Sequence, residues 1–215
     1  MPSLKAYIFD LDGTLIDSLA DIAESINRML DARGYPRCEQ AVFKQMVGDG
    51  MDKLVERALP EGARSEELIK ICVEEYRTHY DELWNDQTRP YEGIVDMLNT
   101  LKGRGMKLGV ISNKAHRFTL PMTHHFFGTA MFDYILGQRD EVPRKPDAAG
   151  GREMATFLGL EAAEMAYVGD SGIDMAFAKN SGMRAVGVRW GFRGEKELIE
   201  HGADLLVSHP CELVA

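Results

Sequence analysis

Little in the sequence could tie it to a membrane, an oxidising compartment or a nucleic acid. Only three cysteines occur in 215 residues, Cys38, Cys72 and Cys211, far apart and odd in number, so a disulfide framework is not expected. No C-x-x-C or Cys/His ligand spacing is present, and the thiols read as reduced structural groups. No stretch approaches the ~18 consecutive apolar residues of a membrane span. The opening Met-Pro-Ser-Leu-Lys runs straight into a strand and does not read as a signal peptide. Positive charge is also scarce: 25 Lys and Arg stand against 34 Asp and Glu, a net charge of −9. A nucleic-acid partner would want a basic face, so none is expected. These absences point to a cytoplasmic protein. An acidic chain that handles an anion needs a local positive field, so individual lysines and arginines matter more than their sum.

What is present is ordinary for a globular protein, with 45% hydrophobic and 27% charged residues. The length allows one large domain or a core with a modest insertion. A short apolar run, Ala6-Tyr-Ile-Phe9, leads into Asp10-Leu-Asp12-Gly13-Thr14. In extended backbone residues i and i+2 point the same way, so Asp10 and Asp12 are expected to share one mouth. Gly13 permits a sharp turn just beyond them. The competing reading of a bare D-x-D-G is an acidic N-cap on the next helix.

From Leu19 to Trp84 the pattern is helical throughout. Ile22, Ile26, Met29 and Leu30 mark one helix, Gln40 to Met46 a second, Met51 to Ala58 a third, and Ser65 to Trp84 a fourth. After Gly93 strand and helix alternate: strands at 107–112, 134–137, 165–168, 185–188 and 205–207, helices at 94–101, 118–127, 149–158, 173–181 and 195–201. Alternation of this kind argues a parallel sheet with crossover helices. No internal repeat or low-complexity segment appears.

Four stretches carry chemistry in order: Asp10-Leu-Asp12-Gly-Thr14, Val110-Ile-Ser112-Asn113-Lys114, Arg144-Lys145-Pro146, and Val168-Gly-Asp170-Ser-Gly-Ile-Asp174. Together they resemble the four motifs of the haloacid-dehalogenase-like (HAD) superfamily of phosphohydrolases, over essentially the whole chain. The resemblance implies an α/β fold: a Rossmann-like parallel sheet with flanking helices, and a small all-helical cap inserted after the first strand. The core would comprise residues 1–15 and 88–215, the cap residues 16–87. It also implies Mg²⁺ as cofactor, held by Asp10, the backbone carbonyl of Asp12, and Asp170. An all-oxygen site with few carboxylates suits that ion.

By the same resemblance Asp10 is the nucleophile, forming an aspartyl-phosphate that splits hydrolysis into two easier steps. Asp12 is the general acid and base, and an aspartate there separates phosphatases from dehalogenases. Thr14, the Ser112 hydroxyl, the Asn113 N–H and Lys145 are the phosphate-binding candidates, and Lys145 also stabilises the transferring group. Taken singly, Ser112 reads rather as a plain helix N-cap and Lys145 as a surface lysine. Asp174 lies four residues after Asp170, on one face of a first helical turn, and reads as a group supporting the metal ligands rather than a ligand. The family's usual proline two places after Pro146 is missing, which is expected to loosen the following helix.

The cap stretches Val47-Gly48-Asp-Gly50 and Leu54-Val55-Glu-Arg57, with Arg89-Pro90-Tyr-Glu-Gly93 and Ser112-Asn-Lys114, are most similar to phosphoglycolate phosphatases. Gly48, Lys53 and Arg57 are then candidates for contacting the substrate carboxylate. The implied partner is a small phosphorylated metabolite, with no membrane and no nucleic acid, and a monomer or homodimer as the assembly. Other small phosphomonoesters, pyrophosphate, a phosphosugar mutase reaction and phosphonate hydrolysis with Lys53 as a Schiff-base lysine fit the same motifs. A non-enzymatic binding module would be expected to have lost some of these residues, and all are present.

Overall fold

Residues 3–215 are described by the structure, a computed structural model. The chain forms two compact units: residues 1–16 with 90–215, and residues 17–89. It passes between them at Ile16–Asp17 and Arg89–Pro90, two short segments that pair as a two-stranded ribbon, β2 and β3.

The first unit is built on a six-stranded sheet. Its strands are β1 (Ala6–Phe9), β4 (Lys107–Ala115), β5 (Tyr134–Gln138), β6 (Met165–Gly169), β7 (Arg184–Val188) and β8 (Leu205–Val207). The order is β5-β4-β1-β6-β7-β8, and every pairing is parallel. Parallel strands covered on both faces need near-continuous apolar sequence, and β1 and β6 meet that demand. Ala6, Ile8, Phe9, Met165, Ala166, Tyr167 and Val168 are all fully buried. The crossover helices are α5 (Ile94–Gly103), α6 (His116–Phe127), α7 (Ala149–Leu158), α8 (Gly172–Ser181) and α9 (Glu195–Glu200).

The chain leaves β1, adds β4 and β5 on one side, then returns to add β6, β7 and β8 on the other. That reversal opens a crevice at the carboxyl ends of β1, β4 and β6, where ligands bind in open α/β sheets.

Two local details differ from expectation. β1 stops at Phe9, so Asp10 and Asp12 lie in the following turn rather than on extended strand. β4 does not end at Ser112 but runs to Ala115 through an irregularity after Ile111, so α6 starts only at His116. Ser112 therefore caps no helix. The missing proline before α7 has a substitute in Asp147, whose Oδ1 accepts from Ala149 N at 2.8 Å. Gly151 lets α7 approach α8 closely, since a Cβ there would meet Ser181 Oγ at 2.4 Å.

The second unit is all helical: α1 (Leu19–Ala32), α2 (Gln40–Met46), α3 (Met51–Ala58) and α4 (Glu66–Leu83). Ile22, Ile26, Met29 and Leu30 of α1 and Cys72, Val73, Tyr76 and Tyr80 of α4 are its buried stripes. Ser65 caps α4 by accepting from Leu68 N. Asp21 is buried on α1 because the returning chain satisfies it. Its carboxylate accepts from Gln87 N, Thr88 N and Thr88 Oγ1, the last at 2.6 Å. Among the described residues no helix is long and apolar enough to cross a membrane.

Candidate active site

Three strand ends deliver the motif residues. Asp10 follows β1 and its N–H donates to Val168 O at 2.9 Å, which locks the turn against β6. Asp170 follows β6, and Asp174 lies in the first turn of α8. Asp10, Asp170 and Asp174 bring carboxylate oxygens within 4.8 Å of one another.

Lys145 reaches into this cluster with its side chain only 4% exposed. Its Nζ lies 2.7 Å from Asp174 Oδ1, 2.8 Å from the Tyr167 hydroxyl and 3.0 Å from Asp10 Oδ1. The Tyr167 hydroxyl in turn donates to Ile111 O at 2.6 Å, joining β6 to β4 beneath the site. Burial works against the charge on Lys145, but Asp10 and Asp174 more than offset it and its pKa is raised. Asp174 accepts from Ser171 N and Ser171 Oγ through its other oxygen, closing a capping box at the start of α8. One residue thus starts the helix and orients the lysine.

Asp12 has a different cation. Lys114, at the end of β4, places Nζ 3.0 and 3.2 Å from the two oxygens of Asp12. The two carboxylates of the first motif are therefore held by separate lysines. The Ser112 hydroxyl accepts from Lys114 N at 3.3 Å, so its own hydrogen can be given to an anion. The Asn113 side chain is committed elsewhere: it accepts from Lys145 N at 2.8 Å and donates to Lys145 O at 3.1 Å, clamping the lysine's backbone to β4. Thr14 is fully buried, and its hydroxyl donates to Asp170 Oδ1 at a long 3.5 Å. That places it beside the acidic cluster.

The turn after β7 closes the site and is absent from the motif reading. Phe192 N donates to Asp170 Oδ2 at 2.7 Å, and Trp190 Nε1 donates to Thr14 O at 3.0 Å. Glycine is required between those aromatics, because a Cβ at Gly191 would lie 2.4 Å from Gly13 O. Gly13, at φ +83°, would likewise drive a Cβ to 2.4 Å from Asp170 Oδ2. The signal available in the sequence was Trp190-Gly-Phe192 directly after an apolar strand.

Lys53 and Arg57 belong to α3 of the helical unit and have partners there. Lys53 Nζ pairs with Glu56 at 2.6 Å. Arg57 pairs with Asp49 at 2.5 Å and donates to Met46 O at 2.8 Å, bracing the turn that holds Gly48 and Gly50.

The donor set fits a divalent cation. Asp10 Oδ1 is buried and, although 3.0 Å from Lys145, has no donor in hydrogen-bonding geometry. Desolvation pushes the Asp10 carboxyl up to about 6, with Lys145 opposing and Asp174 adding to the rise. Burial, then the Asp174 and Asp10 charges, pushes Asp170 well above the usual carboxylate range. Close buried carboxylates that resist ionisation in this way suit a hard ion with oxygen ligands.

Comparison with known proteins decides the family. The family model described as haloacid dehalogenase-like hydrolase matches residues 7–188. The chain is a haloacid dehalogenase-like hydrolase. A phosphoglycolate phosphatase of Chromobacterium violaceum is 34% identical over 98% of this hydrolase and 95% of its own length. That of Thiobacillus denitrificans is 30% identical over 97% and 93%. Among solved structures, a predicted phosphoglycolate phosphatase from Haemophilus somnus has a TM-score of 0.91 at 27% identity, covering 100% of this chain and 98% of its own.

The raised pKa of Asp10 has a consequence for the metal-free hydrolase. A carboxyl whose folded pKa exceeds its unfolded value contributes stability fully below the unfolded pKa and loses it as pH rises through the folded value. For Asp10 that window runs from 3.8 to about 6. In EDTA at neutral pH, Asp10→Asn is expected to be more stable than wild type by up to roughly 3 kcal/mol. The gain should vanish near pH 4. Thermal melts at both pH values check this, and an unchanged or lowered melting temperature at neutral pH would contradict it.

Proposed function

We propose that this hydrolase is a Mg²⁺-dependent phosphatase that cleaves a small phosphomonoester through an aspartyl-phosphate on Asp10. Its substrate in this reading is 2-phosphoglycolate, converted to glycolate and phosphate, which the names of its relatives support. The observation that carries the reading is the separate holding of the two motif carboxylates. Asp10 is fixed beside Lys145 and the acidic cluster, while Asp12 sits apart on Lys114. One carboxylate can attack and the other can move protons.

In the first step an Asp10 oxygen attacks phosphorus and the bond to the leaving alcohol breaks. The alcohol takes its proton from Asp12. In the second step Asp12 takes a proton from water as that water attacks the phosphoryl group. The phosphorus–Asp10 bond then breaks, releasing phosphate and restoring the carboxylate. Lys145 faces the charge that develops on the phosphoryl oxygens, and the Ser112 hydroxyl and Asn113 N–H supply neutral donors. Lys145 needs no reorganisation during the reaction, since Asp174, Tyr167 and the Asn113 clamp already fix it.

Magnesium would be held by Asp10, the Asp12 backbone carbonyl and Asp170, and would offset the negative charge of carboxylate and phosphate together. Asp174 would stay outside that set, because one of its oxygens serves Lys145 and the other Ser171.

Two measurements test this function. Single turnover in ¹⁸O-water should place label on Asp10, and Asp10→Asn should bind substrate yet lose at least ~10³-fold in turnover, the scale expected when a covalent nucleophile is removed. Label appearing only in inorganic phosphate would mean direct attack by water. Activity should also disappear in EDTA, return with Mg²⁺ and fall when Ca²⁺ is added, since looser, often bidentate calcium coordination would engage both oxygens of Asp10. Full turnover after exhaustive dialysis against chelator would remove the metal from the scheme.

A further inference from the structure

The Lys114–Asp12 pair engages both oxygens of the carboxyl proposed to move protons. The ammonium lies within 3.2 Å of both Asp12 oxygens, and the side chains are only 8% and 10% exposed. A carboxyl group acting on a leaving oxygen must turn at least one oxygen to it. With both oxygens on Lys114, Asp12 faces the end of β4 instead.

Lys114 stands two residues beyond Ser112 on β4, and its N–H donates to the Ser112 hydroxyl, so the group paired with Asp12 is tied to the same strand end as that hydroxyl. A lysine head is a compact point charge on a flexible stem, and it moves between anions more readily than an arginine fork. A substrate whose leaving alcohol lies beside Asp12 and carries a second anionic group would bring a competing partner to Lys114. Lys145 is not available for that task, being shared among Asp10, Asp174 and Tyr167. Arg57 is held by Asp49 and Met46 O.

We infer that Lys114 is a specificity-determining latch: it holds Asp12 aside in the free enzyme and is drawn off by the anionic tail of the substrate, releasing Asp12 to face the leaving oxygen. This rests on the phosphatase reading above and deepens it. The substrate class becomes a phosphomonoester whose alcohol carries a carboxylate. A neutral-tailed ester binds its phosphate equally well but leaves the latch closed. A ligand shifts such an equilibrium only through its different affinity for the two states, and here the tail supplies the difference.

The test compares phosphoglycolate, 3-phosphoglycerate and ethyl phosphate with wild type, Lys114→Met and Lys114→Arg, all with Mg²⁺. In Lys114→Met, kcat/KM for the preferred carboxylate-bearing ester should fall roughly ten- to a hundred-fold, the scale of one charge-assisted hydrogen bond, and part of the loss should be in kcat. Ethyl phosphate should fall by a markedly smaller factor, so that the preference for the carboxylate-bearing ester collapses. Lys114→Arg should retain an intermediate preference for the carboxylate. Equal losses for all three esters would make Lys114 a plain anchor for Asp12 and overturn the latch, as would no change in any of them.

A second measurement needs no Lys114 variant. In a crystal structure of Asp10→Asn with the preferred ester bound, Lys114 Nζ should have left Asp12 for the substrate carboxylate. Nζ still on both Asp12 oxygens would overturn the proposal. If wild type prefers 3-phosphoglycerate and loses that preference in Lys114→Met, the phosphoglycolate assignment fails while the latch stands.

Discussion

One ammonium group, Nζ of Lys145, ties the catalytic end of the sheet together. Around it lie Asp10 from the end of β1, Tyr167 from β6 and Asp174 from α8, at 3.0, 2.8 and 2.7 Å. Buried carboxylates this close would repel strongly without a cation, and a buried cation is costly without anions. Each makes the other tolerable. The surrounding structure serves this arrangement. Asn113 holds the lysine's backbone, the Ser171–Asp174 capping box aims one partner, and the Tyr167 hydroxyl is oriented by Ile111 O.

The balance is incomplete. Asp10 and Asp170 remain reluctant to ionise despite Lys145, and an Asp10 oxygen lacks a hydrogen-bond donor. This residual electrostatic demand is of the kind that a bound cation would meet. The turn of Trp190, Gly191 and Phe192 closes over Asp170 with the Phe192 N–H, and the Trp190 indole N–H ties it to Thr14 O. Asp12, by contrast, pairs with Lys114. The site therefore gives each of the two first-motif carboxylates its own lysine.

Much of this was legible in the residues. Helix and strand periodicity located the alternating core and the helical stretch from 19 to 84, because apolar stripes at one spacing leave few alternatives. Asp10, Lys145, Asp170 and Asp174 announced themselves by motif order. What stayed hidden were long-range hydrogen bonds between side chains that look like core. Tyr167 sits in an apolar strand, so nothing in its neighbours reveals that its hydroxyl carries Lys145. Ser112 looked like a helix cap, but the strand runs on past it, and a β-irregularity of that kind has no local signal. The contact of Thr14 with Asp170 joins residues 156 positions apart and is equally invisible locally. The pairing of Lys114 with Asp12 joins residues 102 positions apart, which no local pattern encodes.

If Lys145 and its anions form one coupled unit, the most direct measurement is a double-mutant cycle in thermal or denaturant unfolding without metal. The variants are Lys145→Met, Asp174→Asn and the pair. Removing the lysine alone leaves buried carboxylates uncompensated and should cost about 3–5 kcal/mol. Adding Asp174→Asn should then recover part of that loss, a coupling on the order of 1–3 kcal/mol. Strictly additive losses, or a Lys145→Met protein as stable as wild type, would contradict the account.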